Sequence, residues 1–327
     1  MIRPFLVLMA LAPAQAGAFD IVFPVDCRPG DTCFIQQYVD HDAGPGARDF
    51  NCGPLSYDGH DGTDIAVPTT HDMLSGVSVR AAAAGRVLRV RTDVPDQTDA
   101  SAPVQFPQGQ DCGNGLVIDH GDGWESQYCH LRQGTTRLRP GDAVRANQEV
   151  GLVGQSGNAE FPHLHFTLRR DGVTVDPFAP RLRAGHCVLS EANPFWEDPV
   201  LYHPGGIIGI GFADHVPTFD QIKQGLPPPS LTSHAPALVV WAHVFGAQAG
   251  DALVFGITGP QGEVLADRVA LERTQARLFR AVGRKLRANA WPEGTYTGTV
   301  RMMRGAKVLG TRTVTLDIGP PAHDAVR

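Results

Sequence analysis

Turn-forming residues are spread so densely along this chain that long helices have little room. Its 327 residues include 37 glycines and 26 prolines. Glycine admits backbone angles that other residues avoid, and proline lacks the amide hydrogen a helix interior needs. Between these breaks lie short runs in which apolar residues alternate with other side chains, the pattern of strands joined by turns. A chain of this length has room for two domains, each with its own core. The formal net charge is −6. There is accordingly no basic field to hold nucleic acid and no basic amphipathic helix for a membrane surface.

Residues 1–18 read as an export signal. Arg3 supplies the positive start, and Phe5 to Ala12 is an apolar run too short to span a bilayer. Ala14-Gln15-Ala16 and Ala16-Gly17-Ala18 both offer the small-x-small pattern of a cleavage site. The mature chain is expected to begin near Gly17 or Phe19 and to work in a periplasm or outside the cell, with no membrane span. Cys27, Cys33, Cys52, Cys112, Cys129 and Cys187 make an even count behind that signal and read as disulfides of an oxidising compartment. Sequence does not choose among their pairings, but Cys112 and Cys129 flank a predicted hairpin and are the first pair expected.

Residues 19–55 are turn-rich and read as a disulfide-stapled extension lying on the main domain, with a short strand from Phe34 to Val39. Residues 56–190 read as one mostly antiparallel sheet. Within it Leu164, Phe166 and Leu168 alternate at period two, so His163 and His165 project from one face of a strand. Two imidazoles held that way can serve one metal ion, or one can bind it while the other handles protons. His60 and Asp64 lie four residues apart. Along a straight strand they would be about 13 Å apart, too far for one ion with ligands at about 2 Å. Gly62 is expected to take the unusual backbone angles that curl the segment. Leu116 to Ile118 and Trp124 to Leu131 form a hairpin, with Tyr128 and His130 on one face of the return strand and His120 in a structural place beside the turn. The polar stretch from Asp93 to Asp111 is long enough to be functional and is placed at the rim of the site.

Gly59-His60-Asp61-Gly62-Thr63-Asp64-Ile65-Ala66, Gln127-Tyr128-Cys129-His130-Leu131 and Pro162-His163-Leu164-His165-Phe166 follow one another in order, with glycine-punctuated segments at 115–121 and 151–157 between them. This ordered set resembles the lysostaphin-type (LytM-type) zinc peptidases, which cut peptidoglycan cross-links. The resemblance covers roughly residues 55 to 180. It implies that His60, Asp64 and His165 ligate one Zn2+ ion, and that His130 and His163 are the catalytic histidines beside it. General chemistry agrees, because two imidazoles and one carboxylate leave a position open for a water whose pKa zinc lowers to about 7. A histidine would take the proton of that water and pass it to the leaving amine, and which of His130 and His163 does so stays open. There is no His-Glu-x-x-His, so the glutamate base of that other zinc-peptidase class is absent. Cys129, once bonded to another cysteine, would stiffen His130.

Residues 191–229 read as a Pro/Gly-rich connector whose apolar run from Ile207 to Phe212 packs on one of the domains. Residues 230–319 return to short strands and read as a small immunoglobulin-like β-sandwich without a catalytic constellation. Leu271 to Arg287 is the exception, basic and read as helical in part. The fold class is therefore mainly β: an antiparallel β-sheet LytM-type peptidase domain followed by the sandwich. The expected function is an exported zinc metallopeptidase acting on the peptide stems of peptidoglycan, with a wall or protein partner for the sandwich. Two other readings stand beside it. One is a LytM-type regulatory or wall-binding protein that activates other hydrolases, which the presence of all five metal- and proton-handling residues disfavours. The other is a secreted zinc peptidase acting on proteins or foreign walls.

Overall fold

The computed structural model describes residues 19–99, 103–180, 185–187 and 195–319. The export signal expected over residues 1–18 lies outside the described residues. Among the described residues no helix is long and apolar enough to cross a membrane.

The first body is built from β1 (Phe34–Gln37), β2 (Thr63–Ala66), α1 (Thr70–Ser75), β3 (Ser78–Arg80), β4 (Gly85–Arg91), β5 (Asn114–Gly121), β6 (Trp124–Leu131), β7 (Ala143–Val144), β8 (Glu149–Leu152), β9 (His163–Arg170) and β10 (Val173–Thr174). Its main antiparallel sheet runs β1-β2-β9-β6-β5-β4-β7, with β10 on the end of β9 and β3-β8 as a separate pair. β9 is an interior strand, held between β2 and β6, and its register decides where the histidines point. Ile65 lies opposite Leu164 and Tyr128 opposite Phe166, all inaccessible to solvent. On the other face Asp64 and Cys129 flank His165. Burying Leu164 and Phe166 contributes about 1.5–3 kcal/mol each. A slip of one residue would turn His163 and His165 into the core, so the apolar alternation holds them outward.

The extension does not merely lie on this sheet: β1 is its edge strand, paired with β2. Cys27–Cys33 closes a small loop there, and Cys52–Cys187 ties the extension to the far end of the body. Cys112 and Cys129 form the third disulfide, as the hairpin suggested.

The second body comprises β11 (Gly206–Ala213), α2 (Phe219–Gln224), β12 (Ala237–Ala247), β13 (Ala252–Gly259), β14 (Gly262–Ala270), β15 (Gln275–Lys285), β16 (Gly294–Arg304) and β17 (Lys307–Ile318). Sheets β11-β12-β15 and β14-β13-β16-β17 close on a core that includes Leu238, Val240, Phe255, Tyr296 and Val300. Lettered A to G in chain order, the constant immunoglobulin arrangement is ABED over CFG. Here the fourth strand lies on the other sheet, giving ABE over DCFG.

Two expectations are corrected. Leu271 to Arg287 holds no helix; Gln275–Lys285 is a strand paired with β12 along its length. The neighbouring apolar residues Leu278-Phe279 and Ala281-Val282 mimic helical spacing, but the ladder to β12 decides the conformation. The run from Ile207 to Phe212, placed in the connector, is strand β11 and packs on both bodies. Ile207 and Phe212 enter the sandwich core, while Ile208 joins the core of the first body together with Phe245.

Candidate metal centre

His60 lies just before β2, Asp64 within it, and His165 directly opposite on β9. His60 Nε2 is 3.2 Å from Asp64 Oδ1 and 3.2 Å from His165 Nδ1, and 2.9 Å separates His165 Nδ1 from Asp64 Oδ1. Two ligands of a tetrahedral ion at about 2.1 Å stand about 3.4 Å apart. The three atoms therefore fit a small cation in spacing as well as in donor chemistry. The remaining ring nitrogens have their own partners. His60 Nδ1 donates to the Tyr38 carbonyl at 2.7 Å. His165 Nε2 lies 3.1 Å from Thr167 Oγ1 and 3.3 Å from Asp61 Oδ1. Such outer partners orient a ligand ring and choose which nitrogen faces the ion.

The glycines of this segment differ from expectation. The left-handed angle falls at Gly59, with φ +74°, whereas Gly62 does not adopt one. Gly62 is required for room, because a Cβ there would lie 2.6 Å from His165 Nε2.

His130 and His163 stand beside the three, both buried, with ring centroids 4.5 Å apart. His163 follows from the strand alternation, and its Nε2 lies 3.6 Å from Asp64 Oδ1. His130 does not. Tyr128 pairs with Phe166 on the core face, where its hydroxyl accepts from the Ala82 amide, so period two would bury His130 there as well. The expectation that Tyr128 and His130 share a face is therefore corrected. The β5–β6 register shifts between Asn114 and Leu116, and His130 takes φ +61°, which turns its ring to the face of His165. Bulges re-aim side chains in this way beside active sites. A non-glycine residue held there costs about 1–3 kcal/mol. The His130 amide donates to the Cys112 carbonyl, its Nδ1 donates to the Ser156 carbonyl, and the Cys112–Cys129 bond adjoins both.

Nδ1 of His163 likewise donates to a carbonyl, that of Phe161. Both rings thus keep their Nε2 lone pairs for the site. Burial pushes both below the ordinary histidine range, and neighbouring histidines add to it at both; His130 falls furthest, because the Asp64 carboxylate opposes the shift chiefly at His163. For His165 burial acts downward, but hydrogen bonds to Asp61 and Asp64 outweigh it and bring the ring to about 9. Asp64 shows the converse: burial acts upward, and His60, His163 and His165 hold it well below the carboxylate range. The pocket around Asp61 and Asp64 favours a positive charge, which a proton or a metal ion can supply.

Asp64, His130, His163 and His165 open on a cavity of about 820 Å3. Pro103 and Val104 of the 93–111 stretch line it, as do Gln36 and Gln37 of β1, Phe219 of α2, and Gln275 to Arg277 of β15. Sequence reasoning gave no role to Asp61, to the Tyr38 carbonyl or to Arg277. Asp61 lay within the recognised motif; the other two left no local signal.

Residues 58–177 match the family model for peptidase family M23. Residues 58–177 form an M23 domain. It contains β2 to β10 and all five of these side chains, whereas β1 and the sandwich lie outside it. The peptidoglycan DD-endopeptidase ShyB of Vibrio cholerae is 31% identical over 107 residues, 33% of this chain and 20% of that protein. The murein hydrolase activator EnvC of Escherichia coli is 39% identical over 62 residues, 19% of this chain and 14% of that protein. Among solved structures, the catalytic domain of the prophage-encoded M23 protein EnpA from Enterococcus faecalis is 27% identical, with a TM-score of 0.32 over 49% of this chain and 96% of that one. The chain spans about a fifth of the length of the curated relatives it matches.

Proposed function

We propose that this chain is an exported zinc metallopeptidase that hydrolyses peptide bonds of peptidoglycan cross-links. The reading is carried by the cluster of His60 Nε2, Asp64 Oδ1 and His165 Nδ1, which opens on a cavity beside two buried histidines. His60, Asp64 and His165 would hold the ion. When bound, zinc would lower the pKa of a water to about 7 and polarise the peptide carbonyl. His130 or His163, kept neutral by burial, accepts a proton at Nε2 and then donates it to the leaving amine. Rings 4.5 Å apart resist a second positive charge, so the pair carries one proton at a time. Only the ring that has taken the water's proton is then a donor at Nε2, able to hydrogen-bond an oxyanion before it protonates the amine.

The likeness to ShyB supports peptidoglycan as the substrate. The likeness to EnvC supports a second reading, an activator of other hydrolases. An activator has no need of two buried, neutral imidazoles turned toward a metal cluster, and the peptidase reading is preferred on that ground. Purified sacculi incubated with the mature protein provide the test, run beside His165→Ala and a chelated sample. Cross-linked muropeptide dimers are expected to fall to monomers only with the intact, metal-loaded protein. Unchanged dimers with zinc bound would sink the peptidase reading and favour the activator.

A further inference from the structure

Arg277 stands near the start of β15, outside the M23 domain, yet it lines the same cavity as His130, His163 and His165. Its guanidinium carbon lies 4.7 Å from the ring centroid of Phe161 and 5.5 Å from that of Phe34. Phe161 in turn stands 4.5 Å from the His163 ring. The Gln36 side-chain amide donates to the Ala276 carbonyl at 3.0 Å, which ties this end of β15 to β1. The position is thus fixed by both bodies of the molecule.

The charge itself is poorly met. Nη2 reaches the Pro68 carbonyl at 3.4 Å, while Nε and Nη1 are buried with no hydrogen-bond partner among the described residues. Burial pushes the guanidinium down to about 9, even with Glu160 acting in the other direction. Glu160 lines the cavity too but bonds to neither of those two nitrogens. A buried cation with unspent donors is unfavourable until a charged acceptor arrives, and guanidinium suits a carboxylate. Lys223 on the same wall is different, since Asp220 meets it at 2.8 Å.

We propose that Arg277 anchors a free carboxylate of the peptide substrate, so that the sandwich supplies part of the specificity of the M23 site. The proposal rests on the peptidase reading for its substrate class, a peptide with an ionised carboxylate close to the bond to be cut. It concerns binding, and it can be tested apart from turnover.

The probes are a fluorescein-labelled peptide ending in D-alanyl-D-alanine with a free carboxylate, and the same peptide as its carboxamide. Fluorescence polarisation reports their binding to the metal-free, full-length mature protein, in which nothing is cleaved. The acid is expected to bind about ten- to hundred-fold more tightly than the amide, the range of a hydrogen bond to a charged group. Arg277→Gln should lose that preference by weakening the acid alone, and Arg277→Lys should restore part of it. Equal binding of acid and amide by the wild type, binding of neither probe, or a preference that survives in Arg277→Gln overturns the proposal. The wild-type comparison needs no variant to fold. If the preference holds while sacculi stay intact, the peptidase reading fails and the carboxylate anchor stands.

Discussion

One methyl group added at Gly62 separates the spacing of the three ligand atoms from their mere presence. An alanine Cβ would sit 2.6 Å from His165 Nε2, 2.7 Å from its Cε1 and 2.8 Å from the Phe166 carbonyl oxygen. Ordinary contact begins at 3.4 Å. The imidazole would have to retreat by about 0.8 Å, and the carbonyl by about 0.6 Å, displacements of the kind that overpacking imposes. Phe166 is paired in the ladder with Thr63 and Tyr128, so the backbone resists and the ring takes up most of the shift. Metal sites tolerate errors of about 0.2 Å. A ring displaced by several times that no longer completes the triangle with His60 and Asp64. Gly62→Ala is expected to weaken zinc binding at least about tenfold, the lower end of losses seen when outer support of a ligand is removed. It should also cost about 1–3 kcal/mol of stability. Competition with a chromogenic chelator measures the first, and denaturant unfolding of the metal-free protein measures the second. Gly59→Ala is the control: its Cβ meets open space, and its φ of +74° costs only backbone strain, so zinc affinity should stay near wild type. Wild-type zinc affinity in Gly62→Ala would show that His165 is not confined by this contact.

Two further outcomes are expected. His165 is raised to about 9 in the metal-free protein, so below that pH an incoming ion must displace a proton. Apparent zinc affinity should therefore climb by up to about tenfold per pH unit from neutrality and level off near the ring's own value. Calorimetry in buffers of different ionisation enthalpy should find about one proton released per ion near neutral pH, and an affinity that ignores pH would contradict this. His130→Ala and His163→Ala should each keep one metal ion per chain while losing about 10²- to 10⁴-fold in turnover. Loss of the ion in either variant would move that histidine among the ligands.

Period-two alternation is a local property of the backbone, and it was legible wherever it governed. It placed His163 and His165 on one strand face, and the hairpin it outlined pointed to the Cys112–Cys129 bond. The order of the motifs points to the five side chains that the fold brings together. What depends on register and on partners far along the chain was not legible. Alternation alone would have buried His130 with Tyr128; only a shifted register and a left-handed residue turn it to the site. Sequence suggests that Gly62 curls the segment through its backbone angles, and only the position of His165, contributed by another strand, shows it to be a clearance. Strand β15 carried no clear period because its ladder with β12, not its own apolar spacing, holds it extended. The Tyr38 carbonyl that orients His60 and the Arg277 guanidinium that faces the cavity come from outside the M23 domain. Their roles arise from packing between distant segments, which leaves no trace in the order of neighbouring residues.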